Sequence, residues 1–120
     1  GVSTVQLDER EGVQNGIHEL HIVDTMHTRK MKMSQTADAF IIMPGGFGTL
    51  DEFFEILTWK QLGLHNKPII IANLNNYWDH LLALFNHVIQ TDFARKEHAE
   101  FINIATSVEE IVELAKELLK

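Results

Sequence analysis

Apolar positions along the chain follow two different periods. Ala39 to Met43 and Ile69 to Ala72 are short continuous apolar runs, rich in isoleucine and bounded by turn residues. That is the pattern of strands buried on both faces of a parallel sheet. Between them Leu50, Phe53, Phe54, Leu57, Gln61 and Leu64 follow helical spacing, apolar at all but one place, and Gly63 lies near the expected C-terminal end. The three segments predict a β-α-β unit. A second helix is expected from near Tyr77, with Trp78, Leu81, Leu82, Phe85, Val88 and Ile89 on one stripe, followed by a strand at Phe101 to Ala105. Ser107 precedes Glu110 by three residues, a capping-box signature, and Val108, Ile111, Val112, Ala115, Leu118 and Leu119 form the expected buried face of a last helix. Earlier, Val2 to Leu7 reads as a strand, Asp8 to Gly16 as a charged, glycine-bearing loop, and Asp24 or Thr25 as the cap of a helix running to about Thr36. Strands and helices alternating at these lengths predict one α/β domain over residues 1–120. Its parallel sheet is doubly wound, with right-handed crossovers and ligand sites at the C-terminal strand ends.

Composition narrows the function. The chain has 120 residues, 45% hydrophobic and 22% charged, as expected of a soluble globular protein. A formal net charge of -7 argues against non-specific nucleic-acid binding, which depends on lysine and arginine neutralising phosphates. Any phosphate site is therefore local. Cysteine is absent, which removes disulfides, thiolate ligands and cysteine nucleophiles and suggests a cytoplasmic setting. No apolar run is long enough for a bilayer, and Gly1-Val2-Ser3-Thr4 lacks the regions of a signal peptide, so no membrane partner is expected. A start at Gly1 rather than methionine raises the expectation of processing or a missing N-terminal piece.

The sharpest local feature is Pro44-Gly45-Gly46-Phe47-Gly48-Thr49-Leu50-Asp51-Glu52, set between a buried strand and an amphipathic helix. Its glycines permit positive φ values and close backbone approach, while the helix N-terminus offers free N–H donors and a partial positive charge. A phosphate suits such a cradle better than the alternative, a turn that merely joins strand to helix. The loop is not a P-loop, since no Gly-Lys-Ser/Thr ending occurs, and its glycines do not match the dinucleotide spacing G-x-G-x-x-G. Glu52 stands three residues after Thr49 and so on the same helical face. A carboxylate beside a bound sugar phosphate suits glycosidic cleavage, whose transition state resembles an oxocarbenium ion. The other reading of Glu52 is a surface residue complementing the helix dipole, and Asp51 and Glu55 are taken as such residues. Upstream, Met26-His27-Thr28-Arg29-Lys30 places Arg29 on a face with Met26 and Met33, where its fork could meet an anionic ligand or lie in solvent.

Several other residues invite weaker readings. His18-Glu19-Leu20-His21 lacks the His-Glu-x-x-His spacing that puts two imidazoles on one helical face, and no metal is expected there. His65, His80, His87 and His98 are scattered and read as surface or interface residues. Trp59, Tyr77 and Trp78 could stack on a base, but aromatics at helical spacing are more often core, which is the expectation for Trp78.

The two motifs together resemble the Lonely Guy (LOG) phosphoribohydrolases, whose members carry Pro-Gly-Gly-x-Gly-Thr-x-x-Glu and an upstream Met-His-x-Arg-Lys. The resemblance continues through Ile56 to Gly63 and His65-Asn66-Lys67-Pro68 to the closing strand and helix. It implies a Rossmann-like fold and hydrolysis of the N-glycosidic bond of a nucleoside 5′-monophosphate, AMP or a cytokinin nucleotide, to free base and ribose 5-phosphate. It also implies that Arg29 and Glu52 are the catalytic pair and that Gly45, Gly46, Phe47, Gly48 and Thr49 hold phosphate and ribose, with Lys30, Thr58, Met26 and Glu11 as further substrate contacts. No cofactor is implied. Family members are often labelled possible lysine decarboxylases, yet no lysine here sits in a recognisable pyridoxal setting. The family's first β-α-β unit has no counterpart before Gly1, so the sheet is expected to be N-terminally shortened. Its strand Val2 to Leu7 would then be left with an edge free to pair with a second copy as a homodimer. The alternative function is a mononucleotide-binding or purely structural homodimer that retains the scaffold without turnover.

Overall fold

The structure is a computed structural model that describes residues 3–8, 17–23 and 37–120; in the first two segments it describes the backbone and, of the side chains, Leu20. Strands β1 (Ser3–Asp8) and β2 (Ile17–Val23) pair antiparallel, Ser3 opposite Ile22 and Asp8 opposite Ile17. From β2 onward every pairing is parallel, through β3 (Ala39–Ile42), β4 (Ile69–Ala72) and β5 (Ile102–Ala105). The sheet runs β1-β2-β3-β4-β5. Helix α1 (Phe47–Gln61) joins β3 to β4, α2 (Asp79–Gln90) joins β4 to β5, and α3 (Val108–Leu118) follows β5.

Two layers of side chains hold helices to opposite faces of the sheet, as the doubly wound reading requires. Phe40, Ile42, Ile69 and Ile71 point to one face, where Phe53 and Ile56 of α1 and Trp78 and Leu81 pack on them. The alternate residues Ala39, Ile41, Ile70 and Ala72 meet Ile111 and Ala115 of α3 on the other. Strands covered on both faces carry no polar position, which is why β3 and β4 read as unbroken apolar runs. Each fully buried isoleucine or phenylalanine contributes about 1.5–3 kcal/mol of burial. Among the described residues no helix is long and apolar enough to cross a membrane.

Three expectations change. Of the α1 residues at helical spacing, Phe53 is buried and Leu50 and Leu57 pack partly buried against the same core, while Phe54 and Gln61 are exposed and Thr49, Glu52 and Ile56 complete the inward face. The apolar stripe is thus offset from the buried face rather than separate from it, and spacing alone does not locate the centre of that face. Leu64 lies beyond the helix and is exposed, because α1 ends at Gln61 with Leu62 as its C-cap and turns through Gly63 at φ +79°, a conformation glycine adopts without strain. On α3, Val108 and Val112 are exposed while Ile111 and Ala115 are buried. Ser107 does cap α3, its Oγ accepting from the Glu110 N–H at 3.1 Å, and the Glu110 carboxylate returns to the N–H of Thr106 rather than of Ser107. The helix expected to end near Thr36 and most of the loop expected from Asp8 to Gly16 lie outside the described residues.

Candidate functional site

Strand β3 delivers the chain to Pro44 and Gly45 at the C-terminal edge of the sheet, and Gly46 is the N-cap of α1. No side chain caps this helix, and its first turn holds no acidic residue. The first amide to close is that of Leu50, on the Gly46 carbonyl at 3.2 Å. The N–H groups of Phe47, Gly48 and Thr49 therefore have no acceptor within the helix, and the helix dipole adds partial positive charge where they emerge. Such an end binds anions. The expected use of positive φ is not what the loop does: Gly46 is extended (φ -101°), and among the described glycines the positive φ belongs to Gly63. What Gly46 supplies is room, since a Cβ built there would meet nothing within 4 Å. Phe47 is 91% exposed beside it.

Thr49 and Glu52 follow on the inner face of α1, 0% and 1% exposed. Glu52 is thus not the surface, dipole-complementing residue of the alternative reading; it is a carboxylate enclosed one turn below the loop. The Thr49 hydroxyl has no hydrogen-bond partner among the described residues. Asp51 is exposed as expected, but Glu55 is half-buried rather than on the surface.

Of the remaining predicted site residues, Thr58 is described, and it is not brought to this loop. Thr58 is exposed on the outer flank of α1, nine residues and therefore about 13 Å along the axis from Thr49. Glu11, Met26, Arg29 and Lys30 lie outside the described residues. Val23, the last residue of β2, pairs with Ile42, the last of β3, so both strands leave the sheet at the same edge.

Two features escaped the sequence reading. The Tyr77 hydroxyl donates to the Gly45 carbonyl from a turn built around buried Asn73. At the opposite edge of the sheet, Lys60 Nζ donates to the carbonyls of Lys67 (2.7 Å) and Phe101 (3.3 Å), and burial lowers its pKa from the usual lysine value. His65 is not a loose surface residue: it is half-buried between Ile56 and Lys67 with its ring edge on Phe40. Trp78 is core as expected, and Trp59 packs against the same cluster. Among the described residues no three histidine, cysteine or carboxylate side chains are grouped to hold a metal.

A groove of about 220 Å³ lies between the outer faces of α1 and α2, with Phe54, Leu57, Leu84, Phe85, Val88 and Phe93 in its wall. Phe54 and Leu84 also border a second depression that reaches Leu50 and Tyr77.

A glycine loop opening an uncapped helix at the C-terminal edge of a parallel sheet, with a threonine and a carboxylate enclosed below it, defines a Rossmann-like α/β protein with a candidate anion site at that loop. Residues 1–115 match the family model described as possible lysine decarboxylase, and the chain belongs to that family. It is similar to a cytokinin riboside 5′-monophosphate phosphoribohydrolase of Rhodococcoides fascians, 49% identical over 83 residues that span 69% of this chain and 42% of that protein. An Arabidopsis thaliana enzyme of the same name is 36% identical over 117 residues, 98% of this chain and 55% of the relative. The enzyme so named in Oryza sativa subsp. japonica is 37% identical over 112 residues, 93% and 46%. The chain spans about half the length of these curated relatives. The resemblance drawn from the two motifs is thereby borne out at the level of the family.

Proposed function

We propose that the protein hydrolyses the N-glycosidic bond of a nucleoside 5′-monophosphate, AMP or a cytokinin-type nucleotide. The observation that carries this reading is the uncapped start of α1 above enclosed Thr49 and Glu52, together with the names borne by the relatives. The amides of Phe47, Gly48 and Thr49 bind the 5′-phosphate. Glu52 supplies negative charge as the ribose takes on oxocarbenium character. The bond from C1′ to the base nitrogen breaks, a water oxygen bonds to C1′, and a proton from that water ends on the departing base. Arg29, in the role the family resemblance implies, orients the substrate or supports the leaving base.

The label possible lysine decarboxylase finds less support. The described lysines with depressed pKa, Lys60 and Lys67, stand at the opposite sheet edge from the loop. Incubating the purified chain with AMP or isopentenyl-AMP and following free base by chromatography tests the reading, with AMP binding measured in parallel. AMP binding without base release would replace hydrolysis by a binding module.

The homodimer is also proposed, through the α1–α2 groove. Its wall carries no carboxylate although the chain has 17 acidic against 10 basic residues, so two copies can meet there without like-charge opposition. A cytoplasmic location and a single domain over 1–120 complete the proposal, checked by cell fractionation and limited proteolysis.

A further inference from the structure

We propose that Tyr77 is a positioning residue that sets the direction of the Gly45–Gly46 peptide and so keeps the Gly46 N–H turned toward a bound phosphate; the inference rests on the phosphate-loop reading above. The Tyr77 hydroxyl donates to the Gly45 carbonyl at 2.5 Å. In a trans peptide the carbonyl and the following N–H point in opposite directions, so holding one aims the other. The peptide has glycine on both sides, and glycine meets little steric resistance to rotation. Unheld, it could flip and present a carbonyl oxygen, the negative end of its dipole, to an anion.

The turn that carries Tyr77 is built to hold it still. Asn73 is buried at the end of β4, where its own N–H donates to the Ala105 carbonyl at 2.8 Å. Its side-chain oxygen accepts from the Trp78 N–H at 2.7 Å, and its side-chain nitrogen donates to Asp79 Oδ1 at 2.8 Å. Asn75 and Asn76 take left-handed conformations (φ 54° and 59°), which asparagine tolerates better than most residues. The Tyr77 N–H closes the turn on the Leu74 carbonyl at 3.0 Å. Trp78, buried in the core, meets the Tyr77 ring edge-on at 4.7 Å. The ring is anchored at its base while Tyr77 as a whole is 51% exposed, so its hydroxyl contributes to the loop rather than to the core.

Tyr77→Phe removes the hydroxyl and leaves the ring. Calorimetry of the full chain and this variant with AMP and with adenosine separates loop positioning from general damage. The expected result is AMP affinity reduced about three- to tenfold, as for the loss of one hydrogen bond, with adenosine affinity and melting temperature unchanged. Equal weakening of both ligands, or no weakening of AMP, overturns the assignment to Tyr77 while leaving the phosphate loop standing. A parent protein that binds AMP no more tightly than adenosine overturns the loop reading, and this inference with it.

Discussion

The N–H of Lys67 donates to Nδ1 of His65 at 3.0 Å, and the ring's Nε2 meets the Ile56 carbonyl at 2.9 Å. A nitrogen that accepts carries no proton, and a nitrogen facing a carbonyl must carry one. His65 is therefore the neutral Nε2–H tautomer, a clasp between the strand-entry loop and the helix that carries Glu52. Burial lowers its pKa from 6.5, with the nearby Lys60 and Lys67 charges acting the same way and the Ile56 contact opposing. Below about 6.5 the unfolded chain takes up a proton at this position before the folded chain does. Unfolding free energy thus rises with pH in that window, and the clasp's contribution is lost on acidification.

His65→Ala should destabilise the protein by about 1–3 kcal/mol at pH 7.5, as two hydrogen bonds are removed. The difference from the parent should shrink as pH falls below about 6.5. Urea unfolding of both proteins at a series of pH values measures this, and a difference independent of pH contradicts it.

Thr49→Val tests whether the enclosed threonine serves the ligand or the fold. Its hydroxyl has no partner among the described residues, so replacement should leave the melting temperature equal or higher. AMP affinity should fall at least about threefold, the loss of one hydrogen bond. A lower melting temperature with AMP affinity unchanged would assign the hydroxyl to the fold instead.

Gly46→Ala should likewise separate binding from stability. A Cβ there meets no protein atom within 4 Å and the backbone is extended, so stability should change by no more than about 0.5 kcal/mol. AMP binding should weaken because the methyl group enters the space left for ligand. Unaltered AMP binding would show that nothing approaches Gly46 closely.

Leu84 is 51% exposed and borders both apolar depressions of the α1–α2 face. Leu84→Glu should convert the proposed homodimer to monomer in sedimentation equilibrium, while Val112→Glu on α3, the opposite face, should not. A monomeric parent, or dissociation by both variants alike, contradicts docking through this groove.

Much of this was legible where burial is two-sided. Ile69 to Ala72 spells β4 residue for residue because both faces of that strand are covered. The helix after the glycine loop was equally plain, but the centre of its inward face was not: Leu50, Phe53 and Leu57 do meet the core, whereas Phe54 fits the same period and is exposed, and buried Thr49 and Glu52 carry no apolar mark. Strand β2 was missed because His18, Glu19 and His21 mask its pattern; Asn15-Gly16 before it and Ile22-Val23 at its end were the available signals. Tyr77 and His65 were invisible for another reason. Each acts through a hydrogen bond to a backbone carbonyl distant in sequence, 32 residues away for Tyr77, and a backbone acceptor leaves no mark on residue type.

The central claim concerns the enclosed carboxylate of Glu52 beneath a phosphate-binding loop. Its most direct test is quantification of adenine and ribose 5-phosphate formed from AMP by the parent chain and by Glu52→Gln, with AMP affinity measured for both. The account predicts equimolar products from the parent and turnover at least about a hundredfold slower in the variant, with AMP still bound. Equal turnover by both proteins, or no product from a parent that binds AMP, would contradict it.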